Sequence, residues 1–335
     1  MVRKLRWGIL GTANIAAAKV IPAMQRGEFT EVVAIASREL ARAEHVAKAQ
    51  GIPRVYGSYE QLLTDPEIEA VYNPLPNHLH VPWTIKAAES GKNVLCEKPI
   101  ALNVDQARSL LDVRNRIGVK IQEAFMVRTH PQWLATRDLL QANRIGDLKS
   151  ITGFFSYFNA DPDNIRNKLE MGGGALLDIG CYPISISRFV FGVEPKRVLG
   201  LIERDRELLI DRLTTAILDF GIGQSTFTCS TQLVPYQRMT FFGSKGRIEV
   251  PIPFNAPNDR PTRIQIDDGS NLLATSMETV EFPVCDQYTI QGDLFSRTVL
   301  ENQKQAVPLE DAINNMTVID AVFRSAATGG WEEIG

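Results

Sequence analysis

The sequence predicts an α/β chain in two parts, a doubly wound parallel sheet over residues 1–125 followed by an α+β domain over 126–335 with a large, open, mostly antiparallel sheet. Three observations carry this reading. Through the first part, short β-branched runs alternate with longer helical patterns, the signature of a parallel sheet covered by helices. A turn, Gly11-Thr12-Ala13-Asn14-Ile15-Ala16, joins the first strand to the first helix. After Phe125 the pattern changes, and strand-like segments dominate.

Strands are expected at 5–10, 31–36, 54–56, 70–72, 93–96 and 119–122, with helices at 15–26, 40–50, 59–63, 80–90 and 104–117. Ser58 and Asn103 stand where an N-cap oxygen is needed, and Gly91 and Gly118 follow the fourth and fifth helices. The strand at 93–96 must stop before Pro99, which has no N–H to give to a ladder. This is a Rossmann-type arrangement. In the second part a helix is expected at 131–142, then strands at 148–158, 197–202, 214–220, 224–231, 237–242, 247–250, 262–266 and 279–282. Gly221-Ile222-Gly223 reads as a hairpin turn, and further helices are expected at 174–191, 291–302 and 309–328.

With 335 residues, 44% hydrophobic and 22% charged, the composition is that of a globular protein long enough for two domains. A net charge of −3 gives no field that would gather nucleic acid or an anionic membrane, so neither is expected as a partner. The apolar run after the first basic residues is too short for a signal peptide, and no stretch approaches the ~18 apolar residues of a membrane span. The four cysteines, Cys96, Cys181, Cys229 and Cys285, are far apart and include no C-x-x-C pair, so neither a zinc site nor a redox dithiol is indicated. A cytoplasmic protein with reduced thiols and no bound metal is the expectation.

The turn at Gly11 matches G-x-G-x-x-[GA] except that Ala13 replaces the middle glycine. At the head of a βαβ unit, its glycine and the free N–H groups of the helix end suit a dinucleotide pyrophosphate. At the tip of the second strand, where the adenosine ribose is read, Ser37 and Arg38 offer a hydroxyl and a guanidinium suited to a 2′-phosphate. That favours NADP over NAD; the alternative is Glu39 as the ribose ligand.

Asn73-Pro74-Leu75-Pro76-Asn77-His78-Leu79-His80 follows the fourth strand. Its prolines fix an extended loop on the ligand rim, and Asn77 can cap the helix beginning near His78. Neither histidine has a carboxylate or cysteine at ligand spacing, so no metal site is read here. Cys96-Glu97-Lys98-Pro99 puts a lysine at the end of the fifth strand. On this tetrapeptide alone, Lys98 is equally a solvated strand-end residue beside Glu97 and a catalytic cation on the crevice rim. In Gly172-Gly173-Gly174-Ala175-Leu176-Leu177-Asp178-Ile179-Gly180-Cys181-Tyr182-Pro183, the glycines let the backbone enter a helix in close contact with something. Asp178 and Tyr182 lie four apart on one face of that helix. They suit acid/base partners, or a buried tyrosine bonded to an aspartate.

Taken together, these motifs resemble the glucose-fructose oxidoreductase/inositol dehydrogenase family, Gfo/Idh/MocA, over nearly the whole chain. The resemblance rests on the Gly11 turn, Pro76-Asn77-His78-Leu79-His80, Glu97-Lys98-Pro99, Glu123-Ala124-Phe125-Met126, the three glycines from Gly172, and Asp178-Ile179-Gly180-Cys181-Tyr182. It implies hydride transfer between a pyridine nucleotide and a hydroxyl or carbonyl carbon of a sugar, polyol or related diol. Inositol-dehydrogenase-like members carry a histidine where this chain has Tyr182. The tyrosine form is similar to the branch containing dimeric dihydrodiol dehydrogenase and NADP-dependent xylose dehydrogenase, which tends to use NADP.

The roles so implied are Tyr182 as acid/base, Lys98 as the cation that tunes it, and Asp178 orienting the substrate hydroxyl or the Lys98 ammonium. Arg166 would approach the nicotinamide or the substrate. The expected cofactor-binding set is Gly11, Thr12, Ala13, Asn14, Ile15, Ser37, Arg38, Pro74, Leu75, Asn77, His80, Glu97, Lys98, Arg166 and Tyr288. A dimer or tetramer through the C-terminal sheet is also expected, with Phe154, Phe155, Tyr157 and Phe158 either flooring a sugar pocket or forming core or dimer surface. Two rival readings are a redox-neutral sugar oxidoreductase that retains its NADP and a non-catalytic sensor of NADP(H).

Overall fold

A computed structural model describes residues 2–334 and resolves two compact units, Met1–Met126 with Asp286–Ile313, and Val127–Cys285 with Asn314–Gly335. In the first unit, β1 (Leu5–Leu10), β2 (Thr30–Ala36), β3 (Arg54–Tyr56), β4 (Ala70–Asn73), β5 (Asn93–Cys96) and β6 (Ile121–Glu123) form one sheet in the order β3-β2-β1-β4-β5-β6. Every pairing is parallel. The central strands are therefore covered on both faces, which is why β4 and β5 read as apolar runs rather than alternations. The order reverses between β1 and β4, and the carboxyl ends of the strands there open the ligand crevice of such a sheet. The expected caps hold: Ser58 accepts from the Gln61 N–H and Asn103 from the Gln106 N–H.

The first unit also takes in a segment that the boundary near 125 leaves in the second part. The helix Gln287–Leu300 packs on β1, where Phe295 lies 5.3 Å from Trp7 between ring centroids and Ser296 accepts the indole N–H at 3.0 Å. Asp293 accepts the N–H groups of Glu28 and Phe29. Burying such an aromatic is worth roughly 1.5–3 kcal/mol, enough to draw the returning helix back to the N-terminal sheet. This helix starts at 287 rather than 291 because Asp286 caps it, accepting the Tyr288 N–H at 2.9 Å.

In the second unit, β7 (Leu148–Phe158), β8 (Arg197–Arg204), β9 (Asp211–Asp219), β10 (Gln224–Ser230), β11 (Gln232–Gly243), β12 (Arg247–Val250), β13 (Thr262–Asp267), β14 (Glu278–Phe282) and β15 (Glu332–Glu333) form one sheet in the order β14-β13-β12-β11-β7-β10-β9-β8-β15. Only the β7–β10 pairing is parallel. One face buries Ile151, Phe155, Phe227, Cys229, Met239 and Phe241. The other leaves Phe158, Leu201 and Val234 exposed. A π-helical turn, Leu176–Gly180, runs into the α-helix Cys181–Phe191, so the helix expected at 174–191 carries a wider turn where Asp178 sits. Contrary to the expectation of no membrane-length apolar stretch, Leu169–Phe191 is apolar and long enough to qualify, but 89% of its most apolar window is buried inside the protein, as in a core helix.

Candidate active site

The first unit supplies a nucleotide cradle. Gly11 ends β1 with φ +93, a conformation only glycine takes cheaply, and a Cβ there would stand 3.0 Å from the Leu75 side chain. Its N–H donates to Ala36 O at 2.8 Å, which binds the ends of β1 and β2 together. The helix ladder is under way by Ala17 N–H to Ala13 O, so the turn Thr12, Ala13, Asn14 and Ile15 forms the helix end, where backbone N–H groups have no intrahelical partner. Ser37 is buried and accepts the Glu39 N–H, whereas Arg38 is exposed and reaches the Tyr59 hydroxyl. Glu39 instead pairs with Arg42 at 2.7 Å.

The loop after β4 and the turn after β5 are stitched to each other. Pro74 and Leu75 are buried. The buried His80 ring has Nδ1 2.7 Å from Pro99 O and Nε2 2.6 Å from Leu75 O, and burial holds the imidazole neutral, its pKa lowered to about 4. A neutral imidazole carries a single N–H, so it donates to one of these two carbonyls, and His80 braces the loop after β4 against the turn after β5. Asn77 lies within the 3₁₀ turn Asn77–Leu79, and the helix His80–Glu89 follows Leu79 with no side-chain cap; the capping role expected of Asn77 is not taken.

Glu97 accepts from the Tyr72 hydroxyl at 2.5 Å, and the Lys98–Pro99 bond is cis. Burial, reinforced by the Glu97 charge, pushes the phenols of Tyr72 and Tyr288 up, with Lys98 opposing at Tyr288. Glu123, buried at the tip of β6, accepts the Ile100 N–H at 2.7 Å and anchors the same turn. Tyr72 and Glu123 were not among the expected site residues. Tyr72 had only its position on the strand beside that of Lys98 to signal it, whereas Glu123 opens the Glu123-Ala124-Phe125-Met126 motif already noted for the family resemblance.

The second unit builds a polar cluster around the helix at Leu176. Tyr157, on β7, donates its hydroxyl to Asp178 Oδ2 at 2.5 Å, and Arg166 Nε lies 3.2 Å from Asp178 Oδ1. Asp178 pushes the Arg166 guanidinium further up, burial opposes, and the phenols of Tyr157 and Tyr182 add to the effect. The buried Tyr182 ring packs against the stacked rings of Phe155 and Phe254, at 5.8 and 5.2 Å between centroids. The glycines are explained by close approach: a Cβ on Gly173 would stand 2.5 Å from Arg166 O, and the Gly174 N–H donates to that same oxygen at 2.9 Å. The glycine turn therefore ties the Arg166 backbone to the start of the Asp178 helix. Asp178, expected to orient substrate or Lys98, has Arg166 and Tyr157 among its partners; Tyr157 was expected only as one of four aromatics that floor a sugar pocket or form core or dimer surface.

Family profiles match both halves of the chain: the Gfo/Idh/MocA oxidoreductase family with its NAD-binding Rossmann fold over residues 5–125, and the Gfo/Idh/MocA C-terminal domain over 133–249. The chain belongs to the Gfo/Idh/MocA family. Within it, a D-xylose 1-dehydrogenase (NADP(+)) of Haloferax volcanii is 36% identical over 335 residues, covering 98% of this chain and 100% of the relative. A trans-1,2-dihydrobenzene-1,2-diol dehydrogenase of Xenopus laevis is 35% identical over 73% of this chain and 75% of its own. The crystal structure of a 3-ketoreductase from Actinomadura kijaniata, in complex with NADP and TDP-benzene, superposes with a TM-score of 0.90 at 30% identity, over 96% of this Gfo/Idh/MocA chain and 98% of the other.

Proposed function

We propose that this protein is an NADP-dependent dehydrogenase or reductase acting on a hydroxyl or carbonyl carbon of a sugar, polyol or related diol, with Tyr182 as acid/base. The observation that carries it is the cluster in which Asp178 is held by Tyr157 and Arg166, with Tyr182 one turn on along the same buried helix. The cradle at Gly11, which a Cβ would fill, fits a dinucleotide, held by the Gly11–Ile15 turn, Ser37 and Arg38. When bound, NADP accepts a hydride and NADPH donates one. In oxidation the Tyr182 phenolate takes the substrate hydroxyl proton at Oη; in reduction the phenol returns it. Lys98 supplies positive charge for the substrate oxygen, and Arg166 biases the phenol toward its ionised form. The NADP-bound ketoreductase and the NADP-dependent xylose dehydrogenase relatives support the cofactor assignment.

The test is steady-state oxidation of D-xylose, then of inositols and dihydrodiols, with NADP and with NAD, on the wild type and Arg38→Ala. Arg38→Ala is expected to weaken NADP roughly 10–100-fold, the worth of a charge-assisted contact to phosphate, and to leave NAD nearly unchanged. Equal losses for both nucleotides would transfer the role to Glu39. Absence of turnover, with nucleotide absorbance retained in fresh protein, would point instead to the redox-neutral enzyme.

We further propose that the exposed sheet face bearing Phe158, Leu201 and Val234 is covered by a second copy of the chain. Sedimentation velocity is expected to read a dimer or a higher multiple. A monomer mass at micromolar concentration would remove this proposal.

A further inference from the structure

Behind the helix of Asp178 and Tyr182 lies another carboxylate, which the roles above do not use. Asp211 opens β9 and is 2% exposed. Its Oδ2 accepts the Leu176 N–H at 2.6 Å and the Thr214 hydroxyl at 3.2 Å. Its Oδ1 lies against Gly174, where φ is +120 and a Cβ would stand 1.9 Å from that oxygen. Leu176 is the first residue of the π-helical turn that carries Asp178, and Tyr182 follows in the next helix.

We propose that Asp211 is a positioning residue: its buried carboxyl group, accepting the Leu176 N–H, fixes the helix start and so holds Asp178 toward Arg166 and Tyr157 and Tyr182 in its proton-transfer position. The inference rests on the reading that Tyr182 moves the proton. It gives the last glycine before the helix a second reason beside its positive φ, because any side chain there would displace the carboxylate. A buried carboxylate at a helix start is also where the unsatisfied N–H groups and the positive end of the dipole favour an anion.

Burial raises the Asp211 pKa to about 6, against the lowering effect of the Leu176 and Thr214 hydrogen bonds. The groups facing it are few. Arg204, its partner across the β8 ladder, favours the charged form. On β10 the buried Cys229 thiol is pushed up, first by burial and then by Asp211, with Cys181 and Asp178 from the helix acting on the same thiol. Arg212, the next residue, is paired with Glu203. With both donors on Oδ2, a proton would have to enter at Oδ1, against Gly174. Because that value lies above the ordinary aspartate range, the closed helix start binds the proton more tightly than an opened one, and it is expected to tighten as pH falls through about 6.

The first measurement uses the wild-type protein: amide exchange at Leu176, corrected for the intrinsic pH dependence of exchange. Protection is expected to rise roughly tenfold between about pH 7 and pH 5, the linkage expected when burial raises the closed-state pKa to about 6. The second is Asp211→Asn, whose amide nitrogen would face Gly174 without an acceptor. Its Leu176 protection should be low and independent of pH, its kcat for D-xylose at pH 8 reduced roughly tenfold, and its KM for NADP unchanged. Protection that does not change with pH in the wild type, or an Asp211→Asn protein with wild-type kcat, overturns the proposal. Should Asp211→Asn not fold, the wild-type exchange decides. Should Tyr182 prove dispensable, the function proposed above fails, while the exchange measurement still reports on Asp211.

Discussion

Tyr182→Phe is expected to lower kcat by about 10²–10⁴-fold, the usual loss when a general acid or base is removed, while NADP binding stays as in the wild type. In activation terms this is roughly 3–5 kcal/mol. The selectivity of the change follows from packing. The ring is 5% exposed and packs against Phe155 and Phe254, so a phenylalanine ring keeps the same aromatic contacts and loses only the hydroxyl. The nucleotide cradle at Gly11 and Arg38 belongs to the other compact unit. Turnover would be followed by NADPH absorbance and nucleotide affinity by NADPH fluorescence. Turnover near the wild-type rate would eliminate Tyr182 as the proton carrier, and a parallel loss of nucleotide affinity would show that the substitution disturbs more than the hydroxyl.

The contrast between the two units explains what the sequence could disclose. The nucleotide unit is built from consecutive βα repeats, and each strand end and helix start is signalled by residues next to it: Gly11 after β1, Ser58 and Asn103 as caps, Pro99 after β5. The helix Gln287–Leu300, expected at 291–302 but as part of the second domain, comes from far along the chain and is recruited by Trp7, whose need for a partner to its indole N–H no local pattern reveals. The helical spacing of Asp178 and Tyr182 was likewise legible because both lie in one segment. What surrounds Asp178 was not. Tyr157 reaches it from 21 residues away, and Asp211 reaches Leu176 from 35 residues away, through a sheet whose strand order cannot be inferred from spacing. A tyrosine in an aromatic run, Phe154-Phe155-Ser156-Tyr157-Phe158, looks like core until register shows which face each ring takes.

These cross-strand contacts also alter the electrostatics that the sequence suggested. The resemblance to the family assigned the cation beside the phenol to Lys98 and left Arg166 to approach the nicotinamide or the substrate. The structure gives Arg166 an ion pair with Asp178 and a field felt by both Tyr157 and Tyr182, all within one compact unit. Lys98, at the end of β5, opposes the effect of Glu97 on the Tyr288 phenol. Under the proposed function, the Arg166–Asp178 pair adds a second charge effect at Tyr182, and its two members act there with opposite sign.

Arg166→Met and Asp178→Asn are accordingly expected to move the pH dependence of D-xylose oxidation in opposite directions. In oxidation Tyr182 must be ionised to accept the proton, so the rising limb of kcat/KM follows its pKa in the free enzyme. Removing Arg166 takes away a positive charge and leaves the Asp178 carboxylate nearby; both changes disfavour phenolate, and the limb moves to higher pH. Removing the Asp178 charge leaves the guanidinium uncompensated, phenolate is favoured, and the limb moves to lower pH. A unit charge ~6 Å away at an effective dielectric of ~20 is worth roughly 3 kcal/mol, or ~2 pKa units. Because 43% of the Arg166 side chain is exposed, solvent screening reduces this to about one unit in each direction. Profiles between about pH 6 and 10 would resolve such shifts. If both variants lose rate while their limbs stay in place, Arg166 and Asp178 only hold the substrate, and the charge governing Tyr182 must come from elsewhere. Opposite displacements would assign the tuning to this pair, because a purely structural disturbance has no reason to reverse its sign when the cation is removed instead of the anion.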